Sequence, residues 1–332
     1  VGIYQDLGPA EPLTDHWDGR SWVAVPAPVG PWTISAYLGA VSAAGPRDVW
    51  AVGAGQATGT EERPLIEHWD GSSWTITASP NAGERTNHLA ALNVLAADDA
   101  WAVGFYLGAS SQLTLAEHWD GKAWTVVPGV NPAAASNWLS AVSGISSSDV
   151  WAVGNRRESD AALPQALIEH WDGHHWNLVP DAQTSGVAQL SAVAALSPQD
   201  VWAAGTSGSG DSFAPLIEHW NGQQWTSMPG APASKATIGA IAATSSTDVW
   251  MAGEAGQGDG IHSFFEHWDG TRWRVVPAST GQTGDVNSLL AVGPRDVWAI
   301  GSYRKGVCGP DWALIQRWDG TAWHRVPSPD DG

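Results

Sequence analysis

One short string returns seven times in this chain, and that periodicity limits the fold more than any single residue does. The fullest copy is Glu67-His68-Trp69-Asp70-Gly71, followed at once by Ser72-Ser73-Trp74. Its Trp-(Asp/Asn)-Gly core also falls at Trp17, Trp119, Trp171, Trp220, Trp268 and Trp318, at intervals of 52, 50, 52, 49, 48 and 50 residues. A second string precedes the last six copies: Asp48-Val49-Trp50-Ala51-Val52-Gly53 recurs from Asp99, Asp149, Asp200, Asp248 and Asp296. Self-similarity at about 50 residues marks a repeat architecture, in which each unit buries its faces against its neighbours.

A full unit, residues 37–80, shows the internal grammar. Leu38 to Ser42 reads as a short apolar strand, a. A turn at residues 44–47 leads into strand b, Asp48 to Gly53, and a longer loop leads to strand c, Leu65 to Trp69. Asp70-Gly71 is a strong turn signal, and strand d then runs from Trp74 to Thr77. No helical period is present. Four short strands per unit, with Trp at fixed places, describe one blade of a β-propeller. The b, c and d positions take 20 of the 23 tryptophans, as packing between blades requires.

Seven c–d pairs and six complete a–b pairs predict an all-β, seven-bladed β-propeller of four antiparallel strands per blade. The first blade is incomplete at the N-terminus, since Val1 to Tyr4 aligns with Val103 to Tyr106. A single domain over 1–332 is expected, with blade 1 at 1–28 and the others at 36–80, 87–130, 137–181, 188–230, 237–278 and 287–329. The missing strands are expected upstream of Val1, as part of a longer chain.

The Asp-Val-Trp-Ala-Val-Gly … His-Trp-Asp-Gly-x-x-Trp … Val-Pro pattern resembles a family of Trp-rich propeller repeats found in secreted and surface proteins of bacteria. It is more distantly similar to the Asp-box of sialidase-type propellers and to WD repeats. The resemblance covers essentially the whole chain. It implies a fold and an extracellular location, and no particular activity, because propellers host unrelated functions.

Charge narrows the partners. The net charge is −19, with only three lysines, Lys122, Lys235 and Lys305. That excludes the basic patches that nucleic acid and anionic membranes demand, and favours a neutral or cationic partner. No apolar run reaches the length of a membrane span, so membrane insertion is not expected. Cys308 is the single cysteine, which leaves no internal disulfide.

The repeated polar residues read as structural. His16, His68, His118, His170, His219 and His267 come one per blade, so no three converge on a metal ion. Each is expected to pair with the c-strand Glu of the adjacent blade. Both repeated aspartates are expected to accept backbone N–H bonds at turns, and Asn221 replaces one of them. No cofactor is implied.

A binding site is expected where the repeat stops explaining the residues. The b–c and d–a connections are long and vary from blade to blade, and both open on one end of a four-stranded meander. Trp32, Trp138 and Trp312 lie outside the repeat register on that loop face, as do Tyr4, Phe105, Tyr106 and Tyr303. Tyr37, His88 and Trp138 share the position that opens strand a. Asn137 beside Trp138, and Asp311 beside Trp312, add polar neighbours of the kind that read sugar hydroxyls; Glu84, Arg85 and Asn87 lie near His88, and Arg156, Arg157, Glu158 and Asp160 form another polar group. Catalytic motifs with a Gly-x-Ser-x-Gly, a His-Glu-x-x-His or a phosphate loop are absent from the sequence. The sequence therefore predicts a secreted, non-catalytic binding module for glycans or cell-surface polymers. The alternatives are a protein–protein scaffold on the same face, and a glycosidase or lyase using carboxylates such as Glu254 and Asp259.

Overall fold

The computed structural model describes all residues except 5–8, 183–185, 210–211, 232–234, 257–260, 279–283, 305–310 and 330–332, and only the backbone of Tyr4, Ser209, Ser212, Arg304 and Asp311. The described residues form strands and turns without an α-helix. In the second repeat the strands are Ser35–Gly45, Asp48–Gln56, Arg63–Trp69 and Trp74–Thr77, paired in chain order as an antiparallel meander. The same four-stranded order holds in each later repeat, and a single parallel pair, Gln112 with Ser136, joins the sheets of the third and fourth. The first repeat holds only the end of its second strand, Gly2–Tyr4, paired with Glu11–Leu13, and then the hairpin Asp15–Trp17 with Trp22–Ala24. Its register, Gly2 opposite Leu13, is that of Gly53 opposite Leu65 in the second repeat.

Contacts divide the chain into two compact units. The first comprises Val1–Ala162 with Leu167–Val179, and the second comprises Leu163–Ala166 with Pro180–Gly332. The first carries repeats one to four, and the second carries repeats five to seven.

Within each unit the tryptophans interlock successive sheets. Trp50 lies 4.8 Å from Trp119 and meets Trp124 edge-on at 5.4 Å, both in the following repeat. Trp101 does the same with Trp171 and Trp176, and Trp250 with Trp318 and Trp323. These second-strand tryptophans are nearly inaccessible, so each removes about 150–250 Å² of ring from water. Around them pack Val52, Ile66, Leu89 and Leu115 between the second and third sheets, and Ala192, Ile217, Ile238 and Met251 between the fifth and sixth.

One glycine per repeat sets the shape of the inner strands. The first strand slips register between Leu89 and its successors, a bulge opposite Gly104, and the slip recurs at Leu38, Leu139, Leu190, Ile238 and Val286. A Cβ on Gly104 would stand 2.0 Å from the carbonyl oxygen of His88, which no side chain tolerates. The final glycine of the Asp-Val-Trp-Ala-Val-Gly string is therefore demanded by the bulge. At the other end of each repeat, Gly71 has φ +97°, and Asp70 Oδ1 accepts the N–H groups of Ser72 (2.8 Å) and Ser73 (3.0 Å). Asn221 makes the same two bonds, at 3.0 Å each, as expected for a residue acting by hydrogen bonding.

The histidines correct the sequence reading. His68 Nε2 lies 2.8 Å from Asp48 Oδ1 of its own sheet, and its ring sits 4.3 Å from Trp50. His118, His170, His219 and His267 repeat the pairing with Asp99, Asp149, Asp200 and Asp248, and Arg317 replaces histidine on Asp296 at 2.7 Å. The imidazole reaches the aspartate because Trp50 and His68 are directly opposed in the antiparallel ladder. The glutamates are left to face the preceding repeat. Glu169, Glu218 and Glu266 accept the N–H of Val130 (3.1 Å), Ala182 (3.3 Å) and Ala231 (3.3 Å), each the sixth residue after a fourth-strand Trp. Where that residue is Pro80, the Ser79 hydroxyl serves Glu117 instead, at 3.0 Å. Before Glu67 the corresponding residues are Ala27, which lacks the hydroxyl, and Pro28, which lacks the N–H, and both Glu67 oxygens are buried without a hydrogen bond. Burial lifts this row of carboxyls to about 7 for Glu67, Glu218 and Glu266 and to about 8 for Glu117 and Glu169.

Candidate binding site

The bulge that requires glycine also presents the residue before it. In the second, third and fourth repeats those residues are Tyr37, His88 and Trp138, whose carbonyls lie over Gly53, Gly104 and Gly154. Phe105 pairs with His88 across the sheet. The four rings form a continuous line. Trp138 sits 5.2 Å from Phe105, Phe105 stacks on His88 at 5.2 Å and 20°, and His88 lies 5.9 Å from Tyr37. Trp138 is 38% exposed, while the other three are half-buried.

At the Tyr37 end the line meets a carboxylate. Tyr37 Oη is 2.9 Å from Glu62 Oε1 and 2.9 Å from His88 Nδ1. A carboxylate has no proton to give, so the phenol donates to Glu62 and His88 donates from Nδ1 to the phenol oxygen. Burial and the neighbouring Glu62 charge raise the Tyr37 pKa well above the usual phenol value. For Glu62, burial alone would raise the pKa, but the hydrogen bonds of His88 and Tyr37 outweigh it and lower it. The side chains of His88 and Glu62 keep 18% and 26% of their surface accessible.

The loops that hold these groups are tightly pinned. Asn87 N donates to the Glu62 carbonyl at 3.0 Å, which brings the 61–63 segment beside His88. Thr86 Oγ1 donates to Glu61 Oε2 at 2.9 Å. Arg63 donates to the carbonyls of Gly83, Glu84 and Arg85, and the buried Asn87 side chain bonds Ala82 N and Gly83 O of the same loop.

The other expected site residues lie elsewhere. Asn137 is fully buried and clasps its loop, accepting from Ala133 N at 3.0 Å and donating to Ala133 O at 2.8 Å; it cannot read a ligand beside Trp138. Tyr303 is 1% exposed, with Arg325 4.5 Å over its ring, so it belongs to the core. Trp32 lies flat on Gly55 against Ala36 and Leu38, and Tyr106 packs on Gly83; both fill space beneath loops. Trp312 is half-buried opposite Tyr303, and the side chains of Asp311 and Tyr4 fall outside the described residues. So do Asp259 and Cys308. Glu254 is half-buried opposite Thr237, and Arg156 lies 3.6 Å from Glu158. No group of three or more metal-ligating side chains occurs among the described residues. Glu62 was missed in the sequence, because a loop carboxylate gives no sign of the strand it will reach.

Solved structures place this architecture. The structure titled "YCF48 bound to D1 peptide" is similar over 93% of this chain and 85% of its own, with TM-score 0.56 and 13% identity. YCF48 from Cyanidioschyzon merolae gives 0.56 and 17% over 92% of this chain and 88% of its own. An ulvan lyase bound to -[GlcA(1-4)Rha3S]-, described as a polysaccharide lyase, gives 0.53 and 11% over 84% and 80%. The fold is a β-propeller. Its seven blades are the seven repeats, the first of them incomplete. No protein-family model matches the sequence, and no curated protein matches it. The Tyr37, His88 and Trp138 line thus belongs to blades two to four of a propeller scaffold, at the ends of their first strands. No helix among the described residues is long and apolar enough to cross a membrane.

Proposed function

We propose that this propeller is a secreted, non-catalytic binding module, lectin-like in its recognition of glycans or cell-surface polymers, and that its site is the line of rings from Trp138 to Tyr37. The observation that carries the reading is Trp138, 38% exposed at the end of three further rings that converge on a fixed hydrogen-bond network. A sugar presents an apolar ring face for stacking and hydroxyls that need donors and acceptors, and this line offers both. The pinned loops mean that little ordering entropy is lost on binding.

Chemistry at Tyr37 supports binding over catalysis. A general base works best with a pKa near the operating pH, whereas Tyr37 is held as a neutral donor to an ionised Glu62. The acidity of the whole chain also disfavours a polyanion such as the one in the ulvan lyase structure. Extracellular location is supported by the resemblance of the repeats to those of secreted bacterial proteins.

The test is a broad glycan array probed with the purified chain and with Trp138→Ala. Selective hits that vanish with Trp138→Ala, at an unchanged melting temperature, establish the site. A blank array on folded protein sinks the glycan reading and favours a protein partner on the same face. Shortening of a bound glycan during incubation would instead make the chain an enzyme.

A further inference from the structure

We infer that the ligand is a cationic amino sugar in oligomeric or polymeric form, its ammonium seated on Glu62 Oε2 while Trp138 stacks on a neighbouring sugar ring. This deepens the glycan reading and rests on it.

Three observations lead there. First, Tyr37 and the nearer approach of His88 both use Glu62 Oε1, and Oε2 has no hydrogen bond among the described residues. That oxygen belongs to a carboxylate with 26% of its side-chain surface accessible, so it is open to a donor yet partly shielded from water. A charge-assisted bond made there is stronger than one at the open surface. Second, the positive charge close by is already committed. Arg63 spends its guanidinium on the carbonyls of Gly83, Glu84 and Arg85, at 2.7–3.2 Å, leaving Oε2 for an outside cation. Third, the line of rings that ends at this carboxylate offers aromatic faces, which attract cations themselves, and the −19 net charge concentrates cations near the protein.

The length of the line calls for an oligomer. Steps of 5.2, 5.2 and 5.9 Å separate Trp138 from Phe105, His88 and Tyr37 in turn, a path longer than one sugar ring. Stacking at Trp138 and the charge contact at Glu62 therefore engage different residues of one chain. An N-acetylated sugar could stack equally well but would bring no charge to Oε2.

Calorimetric titration with a β-1,4-glucosamine tetramer and its fully N-acetylated counterpart tests this, on wild type, Glu62→Gln and Trp138→Ala. The expected result is at least a tenfold preference for the amine form, abolished by Glu62→Gln and by high salt. Trp138→Ala weakens both ligands. The glutamine keeps a carbonyl acceptor for Tyr37, and an unchanged melting temperature shows that the fold is intact. Equal affinity for the two tetramers, or a preference that survives Glu62→Gln, overturns the inference. If neither tetramer binds while the array returns neutral glycans lost with Trp138→Ala, the cationic ligand is wrong and the glycan site stands. If the array is also blank, both fall.

Discussion

Blades two to four and blades five to seven use one backbone to opposite ends. At the bulge, the first group places the pairs Tyr37–Ala54, His88–Phe105 and Trp138–Asn155 across its inner strands. The second group places Gln189–Thr206, Thr237–Glu254 and Asp285–Ser302 at the same positions. Aromatic rings reach one another from blade to blade in the first group. In the second the paired side chains are polar, and in the last blade they close on each other: Asp285 Oδ1 takes both the N–H (3.0 Å) and the hydroxyl (2.8 Å) of Ser302. Glycine and bulge are common to both, so the frame contributes position and the side chain alone contributes chemistry. Function is read from the difference, and stability from the identity.

The largest expected effect tests the identity. Gly104→Ala drives a methyl group to 2.0 Å from the His88 carbonyl, and Gly253→Ala does the same to Thr237 at 1.9 Å. Each should cost about 3 kcal/mol or more, or prevent folding, as seen by denaturant titration. Tolerance at either position would show that the two groups do not share a frame.

Next comes the row of buried glutamates, which runs through both groups. Each carboxyl is held near 7 or 8 when folded and titrates near 4.5 when unfolded. Between those values the unfolded chain binds fewer protons, so stability is full at pH 4.5 and falls as pH rises through 7–8. Glu67 has no compensating hydrogen bond. Glu67→Gln should therefore stabilise by on the order of 2 kcal/mol at pH 8 and hardly at all at pH 5. Melting curves at the two pH values check this, and an equal gain at both would mean that the carboxyl is not the cause.

A smaller effect sharpens the difference. Trp138→Ala should weaken glycan binding at least tenfold, about 1.4 kcal/mol, without lowering the melting temperature. Trp312→Ala, in the second group, should lower the melting temperature and leave binding alone. The reverse outcome would move the site to the other group. The smallest effect is Asp172→Asn, which should leave the melting temperature at neutral pH unchanged, because Asn221 already performs that turn's hydrogen bonding.

Much of this was legible in the sequence, and the failures share a cause. The Trp spacing gave strand order, the Asp-Gly turn and the blade count, all of which depend on residues near each other in the chain. His68 and Glu67, as neighbours in one strand, point to opposite faces, but what lies on each face is decided by register and by the next sheet. Cross-strand pairing put His68 beside Asp48, and stacking put the glutamates against the preceding blade. Asn137 and Tyr303 failed for a similar reason: a polar or aromatic residue beside a variable loop serves equally well to fasten it. Trp138, His88 and Tyr37 come together in space because they share one repeat position, and shared position survives folding.

The glutamate row also gives the blades an order. Blade three's Glu117 is served by the Ser79 hydroxyl of a blade that ends in Ser79-Pro80, while Glu169 is served by the backbone N–H of Val130. A duplicated or transplanted blade would carry its carboxyl into a junction written by a different predecessor. Moved behind the first blade, with its Ala27-Pro28, any of them would be stranded as Glu67 is. Units that look interchangeable in sequence are therefore keyed to their neighbours, and shuffling them requires moving each junction together with the blade that follows it.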